Sequence, residues 1–193
     1  EGNYAITERL VCALRNADML PKQFIYRSTL GTYGAAHEKA PFETIKENDI
    51  QVPETNYGKS KLKTEIYLKS IPGLNYVIFR PTGVYGPRDK DYYLMAKSIK
   101  YRFNFISGIK RQSITFIYVK DLVKAIYSAI DKEVQKRCYF VSDGNQYSST
   151  EFGNLIAAEF GYKWIINLKC PLPLVWIICH TLGGVATLFG KTF

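Results

Sequence analysis

The chain is poor in metal-ligating residues. It has two histidines, His37 and His180, and four cysteines, Cys12, Cys138, Cys170 and Cys179, with no CxxC pairing. That spacing offers no zinc site, and no metal is expected. Reduced thiols serving as buried fillers in a cytoplasmic protein are the plain reading of the cysteines. No zinc-finger, helix-turn-helix or RNA-binding signature occurs. The excess of 26 Lys and Arg over 17 Asp and Glu therefore does not point to nucleic acid. The net charge of +9 suits other anions, such as acidic lipid or a phosphorylated cofactor or substrate. No signal-peptide pattern opens the chain. The first residue is not Met, and residues 1–15 already have helical spacing, so a piece of a longer protein is expected.

Charge is also missing from residues 172–189, LPLVWIICHTLGGVATLF, which contain no Lys, Arg, Asp or Glu. Their length approaches a membrane span. His180, the Gly183-Gly184 pair, two threonines and Pro173 argue against a span. A core or lid helix is the first expectation and a membrane-surface or dimer helix the second. Possible membrane-surface contact and a homodimer follow as expectations.

What is present is alternation. Residues 3–17 place Ile6, Leu10, Val11 and Leu14 at helical spacing. QFIYRST (23–29) is a strand candidate, and 31–53 a loop marked by Gly, Pro, Asn and Asp. Residues 55–70 predict a helix stopped by Pro72-Gly73. NYVIFRP (75–81) is rich in β-formers, and TGVYGPRD (82–89) has the composition of a loop. Residues 91–101 predict a helix, 114–119 a strand, 120–131 a helix opening at Asp121, and 138–142 a strand. A helix over 149–160 opens on Ser149 or Thr150, and 163–168 is a last strand. Alternating strands and helices indicate an α/β fold with a parallel sheet covered by helices.

Tyr57 and Lys61 are four residues apart at the start of the 55–70 helix, so they project together. A phenol has an unperturbed pKa of about 10, too high for a base at neutral pH. A nearby ammonium stabilises the phenolate. A shift of roughly 2–3 units needs about 3–4 kcal/mol of differential interaction. A tyrosine so tuned exchanges a proton with an alcohol or carbonyl. Taken alone, the pair reads more simply as part of a basic surface helix.

Its context changes that reading. FIYRSTLGTYG (24–34) precedes it; VIFRPTGVYGPRD (77–89) and TFIYVKDLVKAI (115–126) follow. In this order and spacing the motifs resemble the extended short-chain dehydrogenase/reductase family, the NAD-dependent epimerase/dehydratase group. The resemblance covers about residues 1–170. It implies that Tyr57 is the catalytic acid/base and that Lys61 holds the nicotinamide ribose and lowers the tyrosine pKa. Thr29 matches the hydroxyl that hydrogen-bonds the reacting oxygen, with Ser28 as its neighbour and fallback. Asn3 matches the asparagine of an Asn-x-x-Gly-Thr helix start, although Ile6 stands where the glycine should be. Pro81, Thr82 and Gly83 match the segment whose backbone lies near the nicotinamide. Tyr85 and Arg111 are candidate substrate contacts, Arg80 reads as structural, and Asp121 as a helix cap.

The resemblance has a gap and several departures. The glycine-rich dinucleotide fingerprint has no counterpart: neither GTYGAAHE nor GLNYVIF follows a strand and opens a helix as required. The chain therefore resembles the later half of such an enzyme. The implied architecture is the later half of a Rossmann-type sheet over 1–90. Residues 91–193 form a small C-terminal substrate-binding lobe, with interleaved sheet elements at about 114–142. The cofactor implied is NAD or NADP, the selector lying in the missing part. Leu30-Gly31 replace the Asp-Glu of dehydratases. Gly83 replaces an asparagine, and Ile114 an arginine, usual in nucleotide-sugar epimerases. These departures favour an oxidoreductase acting on a secondary alcohol or ketone, in the hydroxysteroid dehydrogenase and dihydroflavonol reductase branch. A nucleotide-sugar epimerase is the first alternative, and a non-catalytic dinucleotide-binding or membrane-associated scaffold the second.

Overall fold

The computed structural model describes residues 2–34, 44–109, 112–171 and 173. Two compact units divide the chain. One comprises Glu1–Pro87 and Thr115–Asn145, the other Arg88–Ile114 and Gln146–Phe193.

The first unit is built on three parallel strands, β1 (Phe24–Arg27), β2 (Tyr76–Pro81) and β6 (Arg137–Val141), in the order β1-β2-β6. Ile25 lies opposite Val77 and Ile78 opposite Cys138. As the middle strand, β2 is buried on both faces, which its YVIFRP composition allows. On one face Ile78 packs with Tyr26, with Val11 of α1 (Gly2–Asn16), and with Leu68 of α2 (Asn56–Ser70). On the other, Val77 and Phe79 pack with Ala129 of α4 (Val119–Asp131). Each large apolar side chain so buried contributes at most about 1.5–3 kcal/mol. Parallel strands with helices on both faces make the α/β, Rossmann-type arrangement expected from the sequence.

Elements outside this sheet depart further from expectation. The stretch 82–89, expected as loop, contains β3 (Gly83–Tyr85), which pairs in parallel with β5 (Phe116–Tyr118). The Thr82 N–H donates to Val141 and the Gly83 N–H to Thr115, so the backbone polarity of this loop is satisfied by strand pairing. Asp121 is not the helix cap. Tyr118 occupies that position without a side-chain bond, and Asp121 pairs with Lys124 at 2.9 Å inside the first turn. Cys12 is not a buried filler but exposed, its sulfur 3.4 Å from the Tyr67 hydroxyl. Burial, then the hydrogen bond to Cys12, push the Tyr67 pKa up to about 12.

In the second unit α3 (Asp91–Lys100) packs against α5 (Ser149–Glu159) and β4 (Phe103–Ser107). β4 was not anticipated; it pairs in parallel with β7 (Ile166–Cys170), two to three residues later than the strand expected there. Its first three residues invert the usual polarity: Phe103 and Phe105 face out, while Asn104 is buried and donates to Asn167 and Ser149. Helix α5 is capped by Ser148, which forms a reciprocal capping box with Glu151, rather than by Ser149 or Thr150. Among the described residues no helix is long and apolar enough to cross a membrane. Apart from Pro173, the 172–189 segment lies outside the described residues.

Candidate active site

Helix α2 begins where its sequence calls for a cap. The Thr55 hydroxyl accepts the Gly58 N–H at 3.0 Å, satisfying one orphan donor of the first turn. Tyr57 follows, with 48% of its surface exposed, and Lys61 lies one turn on with only 6% exposed. The Lys61 ammonium donates to the Arg27 carbonyl at 2.9 Å, at the end of β1. It lies 5.7 Å from the Tyr57 ring centroid and 4.8 Å from that of Tyr26. The two residues share a helix face, one buried and one presented outward. Burial, reinforced by the nearby Arg27 charge, lowers the Lys61 pKa.

Thr29 follows two residues after β1 and caps a short 3-10 turn, Leu30–Thr32. Its hydroxyl accepts the Gly31 N–H at 3.2 Å, which leaves its own proton available to donate. The turn lies against the start of α2. A Cβ built on Gly58 would lie 2.5 Å from the Gly31 carbonyl oxygen. Glycine is therefore required in the YGKSK run for close approach. Because β1 and β2 are parallel, the residues after Arg27 and after Phe79 emerge at the same, carboxyl end of the strands. That end carries Thr29, Pro81, Thr82 and Gly83, and it is the end where doubly wound sheets bind ligands.

Not every candidate joins this group. Ser28 is fully buried, and its hydroxyl donates to Glu65, so it faces the core and not a substrate. Asn3 is exposed in the first turn of α1, its carbonyl accepting the Thr7 hydroxyl. Tyr85 packs edge-on against Phe116 and beside Tyr118. Arg111 lies outside the described residues. No cluster of metal-ligating side chains occurs among the described residues.

Sequence reading missed Glu65. Its carboxylate is buried and receives the Arg80 fork, Nε at 3.1 Å and Nη2 at 2.6 Å, together with Gln51 at 3.3 Å. Arg80 Nη1 donates to the Tyr33 hydroxyl at 2.6 Å. Burial is the largest single influence on Arg80 and works against its charge, but the hydrogen bonds and charge of Glu65, with smaller contributions from Tyr33 and Cys138, together hold the guanidinium above its ordinary pKa. A signal existed: an arginine inside an apolar strand needs a buried counter-charge, and Glu65 is the single acidic residue of α2.

The model of the NAD dependent epimerase/dehydratase family matches residues 1–141. The chain belongs to that family. A UDP-glucose 4-epimerase from Vibrio cholerae is 31% identical over 181 residues, covering 89% of this chain and 51% of the relative. Short-chain dehydrogenase/reductase family 42E member 1 from Danio rerio is 23% identical over 214 residues, covering all of this chain and 54% of the relative. Among solved structures, a UDP-N-acetylglucosamine 4-epimerase from Methanobrevibacter ruminantium superposes with a TM-score of 0.71. It is 26% identical, with 86% of this chain and 55% of that one covered. A UDP-glucuronic acid 4-epimerase from Bacillus cereus in complex with NAD gives a TM-score of 0.71 at 24% identity, with 86% and 56% covered, and speaks for the fold alone. The chain spans about half the length of the relatives it matches.

Proposed function

We propose that this chain is the proton-transfer half of an NAD(P)-dependent oxidoreductase acting at a secondary alcohol or ketone. The observation that carries the reading is the Tyr57–Lys61 pair, its ammonium fixed on the Arg27 carbonyl and its phenol exposed. The donors present suit a ribose. The Lys61 ammonium has three N–H bonds, of which the Arg27 carbonyl takes one, and the others are free to reach neighbouring hydroxyls. Pro81, Thr82 and Gly83 supply backbone at the same carboxyl end of the strands for the nicotinamide. A bound nicotinamide dinucleotide supplies the two-electron acceptor or donor. In this reading the Tyr57 hydroxyl gives or takes the proton of the substrate oxygen. Thr29 Oγ1 donates to that oxygen and fixes its direction.

The test is Tyr57→Phe in the full-length protein. It removes the transferable proton and keeps the ring. Turnover should fall by at least about a hundredfold, while dinucleotide affinity stays within about twofold. Full retained turnover refutes the reading.

The identity to the Vibrio cholerae relative favours a second reading, nucleotide-sugar epimerisation, in which the same proton leaves and returns with no net redox change. Thermal stabilisation of the full-length protein by UDP-glucose supports it; saturation at a hundred times Kd is worth about 2.7 kcal/mol. No shift with any nucleotide sugar counts against it.

A further inference from the structure

We infer that Glu65, Arg80 and Ser28 are positioning residues that hold the Thr29 hydroxyl in register with Tyr57; the inference rests on the proton-transfer reading above. Four elements converge on the Glu65 carboxylate. Ser28 reaches it from the end of β1, Arg80 from β2, and Gln51 from the loop before α2, while Glu65 belongs to α2 one turn beyond Lys61. The same network encloses Thr29 from both sides. Ser28 precedes it and is bound to Glu65. Tyr33, which closes the 3-10 turn, receives Arg80 Nη1. Thr32 accepts from Gln51 Nε2 at 2.9 Å and donates to the Thr29 carbonyl at 3.1 Å.

A buried ion pair is a weak source of stability, since apolar residues of similar volume commonly do as well or better. What a forked, fully hydrogen-bonded pair adds is geometry. Here that geometry links the segment carrying Thr29 to the helix carrying Tyr57 and Lys61. Proton transfer needs those groups within a few tenths of an ångström of a productive arrangement. Lysine at position 80 would keep the charge but lose the planar fork that serves Glu65 and Tyr33 together.

The experiment uses the full-length protein. Ser28→Ala removes one hydroxyl and keeps the ion pair, so it should fold; Arg80→Lys and Arg80→Met accompany it, with Tyr57→Phe as reference. Turnover is measured with UDP-glucose and with a panel of secondary alcohols and ketones, and affinity by titration with NAD+ and NADP+. Amide exchange is followed across Thr29–Tyr33. Ser28→Ala should lower kcat per folded molecule roughly tenfold to a hundredfold. KM and dinucleotide Kd should stay within about twofold, and exchange across Thr29–Tyr33 should accelerate. Arg80→Lys should recover part of the kcat that Arg80→Met loses. Unchanged kcat in folded Ser28→Ala overturns the inference, and it does so even if the Arg80 variants fail to fold. If Tyr57→Phe is inactive in that case, the proton-transfer reading survives. A fully active Tyr57→Phe sinks that reading first, so the two failures are told apart.

Discussion

Gly58→Ala tests how tightly the two halves of the site are pressed together. The backbone at Gly58 is ordinary helix, so alanine meets no torsional objection, and any effect is steric. Its Cβ would lie 2.5 Å from the Gly31 carbonyl oxygen, 3.0 Å from Pro53 Cβ and 3.2 Å from Thr55 Oγ1. The tightest of these is backbone, which cannot swing aside as the tip of a flexible side chain can. Ordinary contact begins near 3.4 Å, so the 3-10 turn and the start of α2 must part by about 0.9 Å. Alanine gains at most ~1 kcal/mol of helix propensity. Overpacking costs about 1–3 kcal/mol. The gain offsets part of the cost, so net destabilisation should stay below about 2 kcal/mol. Turnover has no such compensation, because the displacement separates Thr29 from Tyr57. A shift near 1 Å costs on the order of a hundredfold in kcat, equivalent to about 2.7 kcal/mol of barrier. Gly31→Ala is the matched control: its Cβ would meet Thr29 Oγ1 at 3.5 Å, an ordinary contact. The assay is kcat of both full-length variants beside their melting temperatures. If Gly58→Ala keeps kcat within twofold of the parent, the close-approach argument is wrong.

Three further outcomes are expected. Glu65→Leu and Arg80→Leu should each cost about 3–5 kcal/mol by removing the main partner of a buried charge, Lys69 at 3.9 Å being the remaining cation near Glu65, and the double variant far less than their sum; additive losses in urea unfolding would show that the pair does not act as a unit. Because the folded-state pKa of Lys61 is depressed, the unfolded chain holds that proton more readily between the lowered value and about 10.4, so stability rises with pH through this window and falls as pH drops through the folded pKa. Lys61→Met should flatten that rise, and an identical pH slope in the variant would contradict it. Ser148→Ala removes one arm of the α5 capping box and should cost about 1 kcal/mol, read from urea unfolding; no change would mean the box is solvent-replaceable.

The placement of Tyr57 and Lys61 on one helix face, and of Thr29 just after β1, was legible because it is local. Four-residue spacing places two side chains on one helix face, and a hydroxyl after an apolar strand falls at the carboxyl end of a parallel sheet, where such sheets bind ligands. The buried face of α2 was not legible in the same way. Gly58, Lys61, Thr64, Glu65 and Leu68 keep helical spacing, but four of the five are not apolar. A search for an apolar stripe therefore passes over the face that matters. β4 is obscured for a related reason, since Phe103 and Phe105 are outside and Asn104 inside. The β3 strand escaped notice because Pro and Gly around a short GVY run dominate its composition. Ser28 was misjudged because adjacent hydroxyls look alike in sequence, whereas the end of a strand sends one inward and the next to the ligand-binding end of the sheet.

The polar inner face of α2 also bears on the order in which the first unit assembles. A helix with Lys61, Thr64 and Glu65 on its inward side gains little from nonspecific collapse, and its docking waits for partners. Those partners are close in sequence. Arg80 is 15 residues from Glu65, and Ser28 is 37 residues before it, all within the β1–α2–β2 stretch. The pairing of β2 with β6 closes a much longer loop, from Val77 to Arg137. Low sequence separation favours early contacts. On sequence separation alone, the β1–α2–β2 contacts close shorter loops than the β2–β6 pairing, so the segment carrying the groups proposed for proton transfer is the more local part of the sheet.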